Sequence, residues 1–279
     1  MMDLEQFPDV PDRPAIIAET GRWLVARKPA FLHTVRSGGG RDPNPSLAEW
    51  LEGERPECAS AGKVGEAGLL QRLDFDTSGL VLAAKDRTAF EWLWAASTEG
   101  RFLKAYALRC APGLGGLEGS RPGRAFPGCV EEAAWNTALE AGDAEELARL
   151  LGSSGGASIV SRFRPYGPGA RRVACLAPGA EPGLSRAWTR DGYSTAIEAL
   201  LARPASSLLG VASLRRGFRH QIRAHFAWMG LPLDGDGLYG GRDDTRLRLH
   251  AALLEFPDPA DGSAIRVVDP VVAALTSIG

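Results

Sequence analysis

The chain has 279 residues, of which 44% are hydrophobic and 24% charged, and its formal net charge is −2. This length and composition are ordinary for a globular protein, which can bury its core as one large domain or two smaller lobes. Every apolar run is shorter than the roughly 18 residues that a membrane-spanning helix needs, and the acidic start of the chain is unlike a secretion signal.

The cysteine spacing indicates a reducing compartment. Cys58, Cys110, Cys129 and Cys175 are widely separated, and none belongs to a C-x-x-C pair. This spacing argues against a zinc site and against a disulfide framework. Free thiols of this kind are typical of the cytoplasm, so we expect a cytoplasmic protein.

The first part of the chain predicts two strands and a helix. Residues 1–19 are acidic, contain proline and lack periodicity, so we expect a loosely held tail. Trp23–Arg27 predicts a strand, and Leu80–Ala84 predicts a short buried strand. Asp86 is a suitable N-cap for a helix that runs through Ser97. Turns or loops are expected at Lys28-Pro29 and at residues 37–45.

The rest of the chain mixes strands and helices. Asp143–Leu151 predicts a short helix with an acidic start, as the helix dipole favours, and residues 111–130 predict a loop. Ser158–Val173 is a weakly marked strand, and Thr189–Leu201 fits either a strand or a helix. The remaining predictions are strands at Phe102–Cys110, Leu208–Leu214, Leu249–Phe256 and Ala264–Val268 and a helix at His220–Met229. Because no regular βαβ alternation appears, the predicted fold class is α+β.

The most informative segment is Gln71-Arg72-Leu73-Asp74-Phe75-Asp76-Thr77-Ser78-Gly79-Leu80. It directly precedes the predicted buried strand, so its polar side chains are held by a rigid element and stay open to a ligand. Arg72 and Asp74 point the same way if the chain is extended there. On local grounds a surface ion pair and a functional site explain this pattern equally well.

This segment resembles the catalytic motif of the RluA-like family of RNA pseudouridine synthases, of the 23S rRNA and tRNA type. Gln71 departs from the family, which usually has His there. Phe218-Arg219, directly before His220, also departs from the family's pattern. Residues 111–158 have no clear counterpart and are expected to be inserted or diverged. The other matching segments, in the family's order, are Trp23–Pro29, Lys104–Leu108, His220–His225 with Gly230, Pro232, Gly235-Asp236 and Tyr239-Gly240, and Leu247–Ala251.

The resemblance implies a catalytic domain over residues 20–279, with a mixed, mainly antiparallel sheet in two lobes and a cleft between them. No S4-like RNA-binding domain is expected ahead of it. The implied catalytic residue is Asp74, and Arg223 is implied as the partner that keeps its carboxylate charged. Tyr106 and Leu249 are implied to line the uridine pocket.

The implied reaction isomerises a specific uridine of structured RNA to pseudouridine, after the base is extruded from its stack. It needs neither a metal nor a cofactor. We expect RNA as the partner, with no membrane and no obligatory protein partner, and a monomeric state. Arg72 could fill the gap that the extruded base leaves, although a salt bridge explains it equally well. His33, His225 and His250 are expected to be hydrogen-bonded structural residues.

Charge is unevenly distributed along the chain. No acidic residue lies between Glu198 and Asp234, a stretch that contains Arg215, Arg216 and Arg219, and residues 155–180 are also free of acids. Such segregation favours a basic face that contacts phosphates, even though the net charge is near neutral. We expect these three arginines, with Arg72, to bind RNA. A general preference for arginine over lysine is the alternative explanation.

Two other functions compete with this prediction. Asp74-Phe75-Asp76 resembles the D-x-D motif of haloacid-dehalogenase-type phosphatases, and Asp236 with Asp243-Asp244 could then bind magnesium. That motif, however, normally follows an apolar strand, whereas here it precedes one. The second competitor is a catalytically inactive RNA-binding protein on the same scaffold, which the departures at Gln71 and Phe218-Arg219 motivate.

Overall fold

The structure is a computed structural model in which residues 6–36, 45–113, 130–152, 157–176 and 189–272 are described. These residues form two compact units. The first unit contains residues 8–106 and 250–272. The second contains the described residues from 107 to 249, together with Gln6 and Phe7.

The described residues contain five α-helices and ten strands, and the fold class is α+β, as predicted. The helices are α1 (Leu47–Glu54), α2 (Arg87–Thr98), α3 (Glu132–Ala141), α4 (Ala144–Gly152) and α5 (Gln221–Trp228). The strands are β1 (Ala15–Glu19), β2 (Trp23–Lys28), β3 (Ser78–Ala84), β4 (Leu103–Cys110), β5 (Ala157–Tyr166), β6 (Arg172–Leu176), β7 (Tyr193–Arg203), β8 (Ser207–Leu214), β9 (Leu249–Pro257) and β10 (Ala264–Val268).

Strand pairing is mostly antiparallel in both units. In the first unit, β1 pairs with β2, β2 with β3, and β10 with β9, all antiparallel. The exception is the short parallel contact of β3 with β9, where Ser78 is opposite His250. In the second unit β5 pairs with β6 and with β7, and β7 pairs with β8, again antiparallel.

Strand β3 is the centre of the first unit, and every one of its residues is buried. Its side chains alternate between two apolar clusters, as the two-residue period of a strand requires. Leu80 and Leu82 pack with residues of α2, including Phe90 and Leu93. Val81 and Ala83 pack on the other side with residues of α1. Because both faces are covered, the strand is a rigid support for the polar segment that precedes it.

The two helices that cover β3 begin at well-formed caps. Ser46 and Glu49 form a reciprocal capping box at the start of α1, which satisfies backbone donors that a helix start leaves open. Asp86 caps α2 as predicted, since its carboxylate accepts a hydrogen bond from the Ala89 backbone N–H at 2.8 Å.

The second unit buries α5 completely, and all eight of its residues are shielded from solvent. Part of the reason is α3, because the indole Nε1 of Trp135 donates a hydrogen bond to the Met229 carbonyl at 2.9 Å. Gly230, with a φ of 86°, follows the end of α5. The predicted helix at His220–Met229 and its end at Gly230 are therefore confirmed.

One sequence prediction is wrong, and two helices were not predicted. Residues 1–19 were expected to form a loose tail, but Ala15–Glu19 is strand β1 and Phe7 is buried. The short apolar run of Ala15–Ala18 pairs with β2 despite its acidic surroundings. Helices α1 and α3 were not predicted. The ambiguous segments are strands, namely β5, β6 and β7. Most of the predicted loops at 37–45 and 111–130 lie outside the described residues.

Candidate active site

Asp74 begins a tight turn at the entrance to β3. The Thr77 backbone N–H donates a hydrogen bond to the Asp74 carbonyl at 3.1 Å, so Phe75 and Asp76 are the two central residues of the turn. Asp74 is half-buried, whereas Phe75 is exposed. The turn therefore holds one carboxylate at the end of a buried strand while leaving the segment open on one side.

Gly79, two residues after Thr77, lies where the backbone leaves no room for a side chain. Its φ is 124°, and a Cβ added to it would lie 2.3 Å from the backbone nitrogen of Ala251 in β9. A side chain at this position would both strain the backbone and separate the two strands. The glycine is required for the close contact of β3 with β9.

A buried chain of polar groups reinforces the same contact. Ser78 Oγ is hydrogen-bonded to His250 Nδ1 at 2.9 Å, and His250 Nε2 lies 3.3 Å from Asp269 Oδ2. Arg27 donates to the other carboxylate oxygen of Asp269 at 3.0 Å. Burial alone would raise the pKa of Asp269, but the His250 hydrogen bond and the Arg27 charge lower it overall.

This Ser78–His250–Asp269 arrangement has the composition of a hydrolase triad, but all three residues are fully buried. A nucleophile must reach its substrate, so the arrangement stabilises the β3–β9 contact and does not act as a triad. The prediction that His250 is a hydrogen-bonded structural residue is confirmed.

The buried side chain of Lys28 holds the Asp74 turn in place through hydrogen bonds to backbone carbonyls. Its ammonium is buried and donates hydrogen bonds to the carbonyls of Pro29 and Leu32, both at 2.8 Å, and of Phe75 at 3.2 Å. Burial lowers the pKa of Lys28 to about 7, against the opposing attraction of Asp74 and Asp76. The lysine therefore lies within electrostatic reach of both carboxylates of the turn.

Tyr106 belongs to the same unit as Asp74, and the charge of Asp74 affects the pKa of the Tyr106 phenol. The side chain is buried in β4. Burial raises the pKa of the Tyr106 phenol, and the negative charge of Asp74 raises it further. The phenol therefore stays protonated across the physiological pH range, which suits an aromatic surface or a hydrogen-bond donor and not a general base.

In the second unit, Arg223 of α5 forms a buried two-point ion pair with Asp236. Its Nε and one terminal nitrogen each donate to a different carboxylate oxygen at 2.7 Å, and Arg223 is 2% exposed. Its guanidinium also lies over the ring of Tyr239, 5.4 Å from the centroid. An arginine buried and paired in this way cannot act as a surface phosphate contact.

Three other polar residues, His220, Gln221 and His225, attach α5 to its neighbours in the second unit. His220 has a left-handed φ of 57° and is hydrogen-bonded to the Tyr239 hydroxyl at 3.0 Å. The Gln221 amide donates to the Ser194 carbonyl and to Thr195 Oγ1 of β7. His225 is hydrogen-bonded to Ser161 and Thr195, and burial lowers its pKa to about 3. His225 is therefore a neutral structural residue, as predicted.

The four arginines expected to bind RNA are all exposed, but they differ in their contacts. Arg216 pairs with Asp191 at 3.2 Å and lies over the Tyr193 ring. Arg219 donates to the carbonyls of Ala170 and Arg172. Arg72 and Arg215 make no ion pair or hydrogen bond with any other residue that the structure describes. The alternative of a salt bridge at Arg72 therefore finds no support in the described residues.

The predicted site residues divide between the units. Arg72, Asp74 and Tyr106 belong to the first unit, and Arg223 belongs to the second with the other three arginines. Leu249 is buried at the start of β9 and is also assigned to the second unit. The pairing of Asp74 with Arg223 stays a prediction.

The sequence reasoning missed the supporting residues, namely Lys28, Asp236, Tyr239 and Asp269. Asp236 and Tyr239 were visible as part of the Gly235-Asp236 and Tyr239-Gly240 pattern. That pattern gave them no role, because nothing in it shows which side chain they contact.

Two of the acids that could bind magnesium in a phosphatase are already neutralised by arginines. Asp236 binds Arg223, and Asp244 forms ion pairs with Arg109 and Arg248. Within the described ranges, no group of three or more His, Cys, Asp or Glu side chains could hold a metal ion. A search of the same residues finds no helix long and apolar enough to span a membrane.

Comparison with known proteins defines the class. Residues 22–228 match the family model for RNA pseudouridylate synthases, and because this match covers most of the sequence, the chain belongs to that family. Ribosomal large subunit pseudouridine synthase C of Escherichia coli (strain K12) is 26% identical over 267 residues, which cover 92% of this chain and 66% of the relative. An uncharacterized RNA pseudouridine synthase of Helicobacter pylori (strain J99) is 24% identical, with the same two coverages.

The solved structures confirm the fold. Human RNA pseudouridylate synthase domain containing 1 superposes with a TM-score of 0.58 at 18% identity, covering 94% of this chain and 85% of the human one. Human RNA pseudouridylate synthase domain containing 4 gives the same TM-score at 14% identity, with coverages of 93% and 90%. The chain spans about two thirds of the length of the curated relatives that it matches.

Proposed function

We propose that the protein isomerises a specific uridine of structured RNA, ribosomal or transfer RNA, to pseudouridine, with Asp74 as the catalytic carboxylate. The N1–C1′ bond of the nucleotide breaks and a C5–C1′ bond forms, while the proton at C5 is lost and N1 gains one. The atoms balance without any second reactant. A carboxylate can open this reaction by covalent attack or by supporting a glycal-type intermediate.

The main support for the proposal is the local environment of Asp74, namely its burial and the residues that hold its turn. Its carboxylate is half-buried in a turn anchored by the Lys28 ammonium and by the rigid strand β3. Tyr106, which senses the charge of Asp74, supplies a protonated aromatic side chain in the same unit. A carboxylate within electrostatic reach of an aromatic side chain suits a base that has been extruded from its stack, since stacking on an aromatic surface contributes about 1–3 kcal/mol.

The central test is release of tritium from RNA labelled at uridine C5. We expect release with the wild-type protein and at least a roughly 1,000-fold slower rate for Asp74→Asn, because the reacting group is removed. The variant should still bind RNA. A catalytically inactive RNA-binding protein would instead show no release with the wild type on any cellular RNA. Mapping of pseudouridine in total RNA from cells with and without the protein would then identify the modified nucleotide.

The predicted role of Arg223 needs a test that separates turnover from folding. We expect Arg223→Ala to reduce both stability and tritium release. Asp236→Asn breaks the same buried ion pair but keeps the arginine, so it is the matched comparison. Tritium release by the two variants is compared at equal concentrations of folded protein. If Arg223→Ala retains full activity, the predicted pairing with Asp74 is wrong.

A further inference from the structure

Three aromatic side chains lie together next to the Asp74 turn, and two of them are exposed to solvent. Phe31 is 52% exposed and Phe75 is 38% exposed. Their ring centroids are 6.0 Å apart, and the His33 ring lies 4.7 Å from that of Phe75. Exposed phenyl rings in mutual contact form a small apolar patch, a feature of surfaces that bind a ligand or a partner. We call Phe31, His33 and Phe75 the aromatic platform.

Buried polar contacts hold the two segments of the platform rigidly together. The Lys28 ammonium bonds to the Leu32 carbonyl in one segment and to the Phe75 carbonyl in the other. Thr34 Oγ1 donates to the Leu73 carbonyl at 2.7 Å and accepts from the Leu73 N–H at 3.1 Å. Rigid aromatic surfaces bind partners well because little conformational freedom is lost on contact.

Phe31 also occupies an unfavourable backbone conformation. Its φ is 60°, in the left-handed region that bulky residues rarely adopt. Such strain persists only where the surrounding structure imposes it, and it is concentrated at functional sites. A half-exposed phenylalanine in this conformation offers little to the core, so its presence points to a role in binding.

We propose that the aromatic platform stacks against an unpaired base of the RNA that flanks the target nucleotide. This inference rests on the proposed function, since an RNA bound at Asp74 must cover the neighbouring Phe75. Aromatic faces stack on any base, and this contact is a common means of binding single-stranded RNA. Arg72, which is exposed and two residues before Asp74, would neutralise a phosphate of the same segment.

RNA fits this surface better than an apolar protein partner does. The platform consists of only three side chains, and along the chain Phe75 directly precedes Asp76 and lies three residues after the exposed Arg72. Protein interfaces of stable complexes require a much larger apolar core. A single stacked base with its phosphate requires only an aromatic face and one cation.

The test measures binding to a single-stranded oligouridylate of about twelve nucleotides, a length within the usual range of binding sites, on the Asp74→Asn background. Phe75→Leu keeps an apolar side chain but removes the ring, and we expect binding at least about 5-fold weaker. Phe75→Trp should bind as well as phenylalanine, with indole fluorescence quenched on addition of RNA. An abasic oligomer of equal length should bind equally well whether or not Phe75→Leu is present, because it retains the phosphates and lacks the bases.

Trp94→Leu is the matched control. Trp94 is an aromatic residue on α2 with 43% exposure, and its ring stacks on that of Phe90. Its replacement should leave binding of the oligouridylate unchanged. Equal weakening by Trp94→Leu and Phe75→Leu would overturn the platform, because it would show a general effect of surface aromatics.

Phe31→Gly separates binding from folding. Glycine adopts a φ of 60° without strain, so we expect the melting temperature to stay the same or rise. We expect RNA binding to weaken, because one of the two exposed rings of the platform is lost. A large fall in melting temperature with unchanged RNA binding would show that Phe31 serves the fold.

The outcomes for the platform and for the proposed function are distinguishable. If the wild type releases tritium but Phe75→Leu binds RNA normally, the platform is refuted and the synthase activity stands. If no RNA yields tritium but Phe75→Leu still weakens base-dependent binding relative to Trp94→Leu, the platform stands and the activity is refuted.

Discussion

At the scale of single residues, the ion pair of Arg223 and Asp236 is the most consequential polar contact of the second unit. Both side chains are almost fully buried and meet at two points. Loss of one partner leaves an uncompensated charge in the interior, which destabilises a protein by about 3–5 kcal/mol. We therefore expect Asp236→Asn, which keeps the side-chain volume, to lower the free energy of unfolding by about this amount in urea denaturation.

Asp191→Asn provides the control for that prediction. Asp191 pairs with Arg216 on the surface, where both side chains are largely exposed. Exposed pairs contribute less than about 1 kcal/mol, so this variant should unfold almost as the wild type does. Equal losses in the two variants would mean that burial does not determine the strength of the Arg223 pair.

The residue scale also shows where the sequence stops being informative. The sequence correctly predicted a helix at His220–Met229, which is α5 with all eight of its residues buried. It could not name Asp236 as the partner of Arg223. That contact joins a helix to a turn thirteen residues later, and its geometry depends on the path of the chain between them.

At the scale of elements, the contact of β3 with β9 depends on the absence of a side chain at Gly79. An alanine there would place its Cβ 2.3 Å from a backbone nitrogen at a φ of 124°. Strain and overpacking each contribute about 1–3 kcal/mol. Gly79→Ala should therefore lower the free energy of unfolding by about 3 kcal/mol or more. It should also displace the Asp74 turn and reduce tritium release.

Gly53→Ala is the corresponding control, measured by the same denaturation experiment. Gly53 lies in α1, and an added Cβ would meet nothing within 4 Å. Alanine is a better helix former than glycine by up to about 1 kcal/mol, so this variant should be as stable as the wild type or slightly more stable. A comparable loss at both positions would contradict the argument for Gly79.

The same scale explains which elements the sequence predicted. Strand β3 and helix α2 carry their signals locally, as an apolar run and as the Asp86 cap, and both were located almost to the residue. Helix α1 was missed although its Ser46 and Glu49 capping box is visible in the sequence. Helix α3 lacks a side-chain cap and β1 lies among acidic residues and prolines, so neither has a strong local signature. They are stable because of their neighbours, which a single sequence does not display.

At the scale of the whole molecule, acid should weaken the attachment of β1. Glu19 accepts hydrogen bonds from Arg55 and from Lys85, segments that lie far apart in the chain. These contacts, Arg55 first, lower the pKa of Glu19 from 4.5 to about 2. Because the folded-state pKa is the lower one, the stabilisation is complete above about pH 4.5 and is lost as the pH falls towards 2.

Glu19→Gln measures this contribution directly. At pH 7 we expect the variant to be less stable than the wild type by about 1 kcal/mol, a value near the upper limit for partly exposed pairs. The difference should shrink progressively below about pH 4.5 in urea denaturation. A difference that stays constant down to about pH 3 would show that the charge of Glu19 is not the source of the stabilisation.

The distribution of charge, rather than its total, should govern RNA binding. A net charge of −2 gives no general attraction to RNA, so affinity must come from particular cations. Arg215 is exposed and makes no ion pair with another described residue, whereas Arg216 is already paired with Asp191. Each phosphate contact on a single strand contributes about 0.7 to the slope of log affinity against log salt concentration.

Arg215→Ala should therefore reduce that slope by about 0.7 in fluorescence anisotropy titrations between about 50 and 200 mM salt. Arg216→Ala should reduce it by less, because the Asp191 carboxylate competes with the phosphate for the same guanidinium. Identical slopes for the wild type and Arg215→Ala would place the RNA elsewhere on the protein. A larger effect of Arg216→Ala would mean that the surface ion pair of Arg216 opens when RNA binds. Opening such a pair costs little free energy, because exposed pairs are weak.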